Sequence, residues 1–295
     1  MYLRRKITNR FSSIWMITAL VIILLLPLII GIALYIRSSP LFGVQSFHDL
    51  ILSNKWSPEQ GNFGFLPFIL GSLYVTFLAF LFAAPVSLLS AIYLTQFSSK
   101  RLLAIMQPVI DILAGIPSVV YGVWGILVIV PFTAYISSAV FGVESTGYST
   151  LAGGIVLAVM CIPYMLNMLI ETFQTVPIGL QEASLSLGAT KWESVKHTII
   201  KKSIPGIISS FGLGMAKAFG ETMAVMMVVG NVVHLSFDPL MPSYPLPALI
   251  ANNFGEMMSI PMYDSALMFA AFILFVVILC INLIFRYFIH KTQIK

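Results

Sequence analysis

Charge is scarce in this sequence. Only 9% of its 295 residues are Asp, Glu, Lys or Arg, while 59% are hydrophobic. A soluble domain carries roughly a quarter charged residues, so a water-soluble globule is excluded. Cysteine is scarcer still. Cys161 and Cys280 each lie inside an apolar block; they offer no disulfide framework and read as small core hydrophobes. His48, His197, His234 and His290 are scattered without metal-ligand spacing, and no metal or other cofactor is expected. There is no Gly-x-x-x-x-Gly-Lys-Ser/Thr phosphate loop and no Gly-x-Ser-x-Gly elbow. A membrane-embedded enzyme therefore has no motif to stand on. If ATP drives this protein, another chain hydrolyses it. Low-complexity tracts and internal repeats of fixed period are also missing.

Long hydrophobic runs are what the sequence does have. A helix needs about 20 apolar residues to cross the hydrocarbon core. Six stretches qualify: 14–36, 66–94 with Pro85 inside, 102–130 broken by Pro108 and Pro117, 151–170 with Pro163, 204–231, and 266–288. Short alternating segments, the mark of a transmembrane barrel, are not seen. The expected fold class is an all-α integral membrane protein with six transmembrane helices. Arg4, Arg5, Lys6 and Arg10 precede the first run in the manner of a signal peptide. That run exceeds the usual apolar core of about 7–15 residues, and no convincing small-residue cleavage site follows; it reads as a retained span. The stretch "AGIPSVVYG" at 114–122 reads as a hinge or half-helix junction, which a bilayer tolerates only against protein or a water-filled cavity.

Basic residues orient the spans. With the N-terminus in the cytoplasm, the inside segments hold Arg4, Arg5, Lys6, Arg10, Lys100, Arg101, Lys191, Lys196, Lys201, Lys202, Arg286, Lys291 and Lys295. Only Arg37 and Lys55 fall outside, and Lys217 lies within a span. Asp49, Glu59, Glu144, Asp238, Glu256 and Asp264 are outside. Both termini are then cytoplasmic in a multi-pass plasma-membrane protein surrounded by lipid. The net charge of +5 reflects this topology, and no nucleic-acid partner is expected. In the external segment 232–263, "PALIANNFGEMM" (247–258) reads as a short surface helix with Pro247 in its first turn.

The inside connection at 171–203 is too long to be structureless. It reads as two short helices, the first over 178–187. Gly188 ends it in a left-handed conformation. Thr190 and Glu193 then form a capping box for a second helix reaching about 201. Helix–Gly–helix also describes a DNA-reading unit, but this one is tethered at both ends to membrane spans. A docking element for another protein fits better.

Apart from Arg286 at the cytoplasmic end of the last run, three charges lie in the spans: Asp111, Lys217 and Glu221. Each costs roughly 2.5–3.5 kcal/mol at a helix centre on insertion scales. Lys217 and Glu221, at i and i+4, share a helix face. They are either a local ion pair that makes the helix tolerable or part of a pathway. Asp111 either lines that pathway or reaches water near the cytoplasmic end. A receptor without translocation would need none of them. Gly212, Gly214 and Gly220 suggest close helix packing, and the methionines of the fifth run suggest adaptable packing.

The motif "EASLSLGATKWESVKHTIIKKSIPGI" resembles the EAA loop of ABC importer permeases. Glu182 and Ala183 match, Ser184 takes the third place and Gly188 falls where expected; the family's Leu-Pro falls on Ile200 and Lys201, so the proline is missing. "LAGIPSVVYGVWGI" (113–126) and "GLGMAKAFGETMAVMMVVGN" (212–231) are similar to the third and fifth spans of phosphate-transport permeases of the PstC type. The family usually has Arg where this chain has Lys217. The resemblance covers about 66–295, and it implies a MetI-like permease fold there, preceded by 1–65 as a cytoplasmic segment, first span and external loop. It implies a heterodimer with a second permease of the PstA type, a cytoplasmic ATPase dimer gripping Glu182, Ala183 and Gly188, and an extracytoplasmic phosphate-binding protein. Inorganic phosphate would pass Lys217, Glu221 and Asp111 in the inner membrane of a bacterium or archaeon. The alternative is a permease for another oxyanion, molybdate or sulfate, which would share the EAA loop but not Ala-Phe-Gly-Glu-Thr-Met.

Overall fold

The computed structural model describes residues 2–257, 260 and 262–293, with the side chains of 2–10 and 293 left aside. Met258, Pro261 and Lys295 lie outside the described residues. Among the described residues, the regular structure is helical apart from one small hairpin. Helix α1 (Tyr2–Ser38) leads into α2 (Phe47–Leu52) and the two-residue strands β1 (Trp56–Ser57) and β2 (Asn62–Phe63). Then come α3 (Leu66–Ile92), α4 (Lys100–Gly115), α5 (Ser118–Trp124), α6 (Val130–Phe141) and α7 (Thr150–Gln174). The remainder is α8 (Ile178–Ser186), α9 (Lys191–Ser194), α10 (Ile200–Phe219), α11 (Met223–Val228), α12 (Leu246–Asn253) and α13 (Tyr263–Gln293).

Among the described residues, five stretches are long and apolar enough to cross a membrane: Phe11–Gly43, Leu66–Phe97, Ser118–Phe141, Thr150–Gln174 and Tyr263–Thr292. The sixth crossing is α10 followed by α11. It carries Lys201, Lys202 and Lys217 and is interrupted at 220–222, so it is less uniformly apolar than the rest. The expected third span, 102–130, is corrected. Pro117 forces its predecessor out of helical geometry, and Ile116 is extended (φ −64, ψ 129). The chain therefore turns between α4 and α5, and the crossing runs over Ser118–Phe141. The Tyr121 hydroxyl donates to the Leu113 carbonyl at 2.8 Å and ties the two pieces together.

Helices α3 and α7 make the most extensive helix contact, because small residues let their backbones approach. Ala79, Ala83, Ala152 and Ala158 are all buried there, and a β-carbon on Gly154 would come within 2.8 Å of Leu78 Cβ. A second cluster joins α13 to the 39–65 loop, where Trp56 packs edge-on against Phe63, Phe65 and Phe68. Helix α12 begins with Pro247 in its first turn as expected. It is not on the surface, however: Leu246, Ala248 and Leu249 are fully buried, and the Leu246 amide donates to Ser72 Oγ of α3 at 2.7 Å. The apolar residues of α1 are largely exposed, as a helix facing lipid requires.

Candidate functional site

Lys217 and Glu221 are not one turn apart on a continuous helix. α10 ends at Phe219, residues 221 and 222 are non-helical, and α11 restarts at Met223. Lys217 thus lies in the last turn of α10, where the helix dipole favours a cation, and Glu221 lies just ahead of α11, where it favours an anion. No ion pair joins them; the only one among the described residues is the exposed His48–Asp49 contact. Instead, Lys217 Nζ sits 4.4 Å from the centre of the Tyr164 ring, a geometry in which the ring face attracts the ammonium. Lys217 is exposed in the single chain and Glu221 half-buried.

Asp111 is held a turn further along α7. Its carboxylate accepts from Asn167 Nδ2 at 2.7 Å, and Gln107 Nε2 donates to Asn167 Oδ1 at 3.0 Å. Gln107 and Asp111 are four residues apart on α4, so both reach the same partner. On α7, the residues at 164, 167 and 171 fall on one face at i, i+3 and i+7. That face carries Tyr164, Asn167 and Glu171, with Glu171 exposed in the last turn of α7. The structure therefore brings Lys217, through Tyr164, and Asp111, through Asn167, to one side of α7; Glu221 makes no such contact with it. A cavity of about 620 Å³ at the other end of α7, between Phe141, Glu144, Tyr148 and Leu240, includes none of them.

The loop forms the two expected helices, α8 and α9. Gly188 follows α8 with φ +85, a left-handed conformation that costs a residue with a β-carbon. Thr190 caps α9. Its amide and its hydroxyl both donate to Glu193 Oε2 at 2.8 Å, and the Glu193 amide returns a bond to Thr190 Oγ1 at 3.3 Å. The Thr190 amide first, and its hydroxyl second, hold the Glu193 carboxyl below its usual range. The second helix does not stop near 201. It passes through a π-helical turn at Val195–Ile199 and runs without a break into α10, with Pro205 accommodated inside. Glu182, Ala183 and Gly188 are exposed, and Ile178, Leu185 and Leu187 beside them expose apolar side chains. Of Gly212, Gly214 and Gly220, the first two are packing positions inside α10 and the third follows its end. A β-carbon on Gly212 would meet Phe285 Cγ of α13 at 2.6 Å, and one on Gly214 would meet Met165 Cγ of α7 at 2.5 Å; Gly220 has more room.

Residues 83–294 match the family described as binding-protein-dependent transport system inner membrane component. A phosphate transport system permease protein PstC from Xylella fastidiosa is 38% identical over 86% of this chain and 81% of its own length. The chain belongs to the PstC permeases of that family. A probable phosphate transport system permease protein PstC from Methanocaldococcus jannaschii is 32% identical over 99% of this chain and 96% of its own. Among solved structures, the fold is similar to a bacterial ABC transporter that imports the polysaccharide alginate, with TM-score 0.62 and 13% identity over 97% of this chain and 99% of that one. It is also similar to an inward-facing methionine transporter, with TM-score 0.59 and 19% identity over 76% and 94%. These likenesses establish the permease fold; the chain is a transport component rather than an enzyme.

Three residues of this permease's polar site escaped the sequence reading: Gln107, Tyr164 and Asn167. A signal existed. Asn167 interrupts an apolar helix three residues after Tyr164, and Gln107 precedes Asp111 by one turn. Neither spacing says which helices meet, so the partners became visible only in three dimensions.

Proposed function

We propose that this chain is the permease subunit that conducts inorganic phosphate in an ATP-driven importer. One observation carries the reading. An ammonium group sits at a break in a membrane helix, held by an aromatic ring and unpaired with Glu221. A lysine needed only for structure would be neutralised by Glu221. One held on a ring keeps its charge available to an anion, and a broken helix is a recurrent setting for transporter binding sites. The names of the relatives in Xylella and Methanocaldococcus support phosphate as that anion.

In this reading 66–295 is the permease unit, and both termini face the cytoplasm. A second permease of the PstA type covers the exposed side of α7 and α10. The loop at 171–203 docks a cytoplasmic ATPase through Glu182, Ala183 and Gly188, and an extracytoplasmic binding protein delivers phosphate to the opposite face. Lys217 attracts the anion, and Glu221 accepts a hydrogen bond from its protonated oxygen.

The test measures assembly and uptake together. Lys217→Met and Glu221→Gln each lower ATP-dependent phosphate uptake by at least about tenfold, the scale of one lost charge-assisted contact. The double variant assembles and stays inactive. A double variant that transports like the parent would leave the two charges with a structural role only. Excess sulfate or molybdate competing with phosphate in the complete complex would favour the other-oxyanion permease.

A further inference from the structure

An acid is a poor neighbour for an anion, yet Asp111 of α4 is bonded to Asn167, one helical turn from the Tyr164 that seats Lys217 and on the same side of α7. We propose that Asp111, aimed by Asn167 and Gln107, determines specificity: it admits oxyanions that carry a proton and turns back those that are fully ionised. The proposal rests on phosphate as the cargo, and it adds the feature that separates phosphate from sulfate.

The argument starts from hydrogen-bonding capacity. An ionised carboxylate can only accept. Asn167 must therefore turn its NH₂ towards Asp111, which leaves its carbonyl for the Gln107 amide. The two bonds, 2.7 and 3.0 Å, match that arrangement. The amide of Asn167 is thus locked from both sides, and it fixes the carboxylate in turn. One oxygen of Asp111, Oδ1, takes the Asn167 bond; the other accepts no side-chain hydrogen bond among the described residues. Asp111 is also exposed in the single chain. Together these leave an acceptor with a fixed direction, open to whatever moves along this face.

Near neutral pH, phosphate always keeps at least one proton, so it can donate a P–O–H bond to the free oxygen. Sulfate has no proton to give and meets the carboxylate as one negative charge meets another. Lys217 attracts both anions alike, so it cannot distinguish them. A clasp between α4 and α7 would be complete with Gln107 and Asn167 alone. Asp111 adds a full charge where an amide would suffice, and selection against an unprotonated anion accounts for that charge.

The experiment uses the assembled complex of both permeases and the ATPase, purified without its binding protein, and radiolabelled orthophosphate as the probe. Binding that disappears in Lys217→Met is assigned to the permease. In the parent, sulfate should need about a hundredfold excess over phosphate to displace half the label, a modest share of what a dedicated hydrogen-bonding site achieves. Asp111→Asn should bring sulfate to within about threefold of phosphate, while Asp111→Glu should keep most of the discrimination. Asn167→Leu, which frees Asp111 without removing it, should lose about tenfold of it; this variant decides the matter if Asp111→Asn does not assemble. Sulfate that competes as well as phosphate in the parent overturns the proposal alone. So does discrimination that survives in both Asp111→Asn and Asn167→Leu. Absence of any Lys217-dependent phosphate binding would instead overturn the phosphate reading beneath it.

Discussion

The ammonium of Lys217 lies over the ring of Tyr164, 4.4 Å from its centre, and it does so in preference to the carboxylate four residues along its own chain. The ring belongs to α7 and the lysine to α10, so the contact also pins two membrane helices beside the α10 break. Tyr164→Leu removes the ring face, and Tyr164→Phe keeps it. A cation–π contact contributes about 0.5–2 kcal/mol depending on desolvation. Phosphate uptake should therefore fall several-fold in Tyr164→Leu and stay near the parent in Tyr164→Phe, with both assembling normally on size-exclusion chromatography. Equal loss in the two variants would mean that the phenol hydroxyl matters instead.

Gly188 has open space around it, yet its φ of +85 excludes a β-branched residue. Gly188→Val should insert in the membrane but lose phosphate-stimulated ATP hydrolysis by the complex. Gly188→Asn, which tolerates the left-handed region, should keep most of it. Because no atom lies within 4 Å of a β-carbon there, a clash cannot explain the valine variant.

Gly214 faces Met165 at a distance no real β-carbon occupies. Overpacking of this kind costs typically about 1–3 kcal/mol. Gly214→Val should lower the thermal unfolding midpoint of the detergent-solubilised permease. Met165→Ala in the same chain should recover part of the loss by making room. Recovery is the informative outcome, since it locates the strain between α7 and α10.

The capping box makes the loop sensitive to acid. The Glu193 carboxyl is held below its usual range, so its contribution to loop order is present above the unfolded carboxyl pKa and is lost as pH falls through the lowered folded value. Amide protection over 190–195, corrected for intrinsic exchange, should drop on acidification. Glu193→Gln can still cap, and its protection should be flat over the same range.

Much of this was legible in the sequence because it depends on local rules. Hydrophobic runs mark the crossings, Pro117 marks the junction after α4, and Thr190 with Glu193 marks a helix start. Gly188 is required by the turn it makes. What was not legible depends on how separate segments meet. The i, i+4 spacing of Lys217 and Glu221 implies pairing only if the helix continues, and the interruption at 220–222 is not written in helix propensity alone. The α12 segment reads as an external helix by its prolines, but the pocket that buries it is made by α3 and α13. Asn167 gains its meaning from Gln107 and Asp111, which lie some sixty residues earlier in the chain.

The unbroken helix from Lys191 to Phe219 has a mechanical consequence. At 1.5 Å per residue it is a rod about 43 Å long, capped at one end by Thr190 and ending at the other just beyond Lys217. Small tilts at the capped end become large displacements at the far one. A rotation of about 10° about the capped end would carry the far tip by roughly 7 Å on a rod of this length, more than the 4.4 Å that separates the ammonium from the tyrosine ring. The rod is thus a lever: a small tilt about its capped end suffices to lift a positive charge off its aromatic seat.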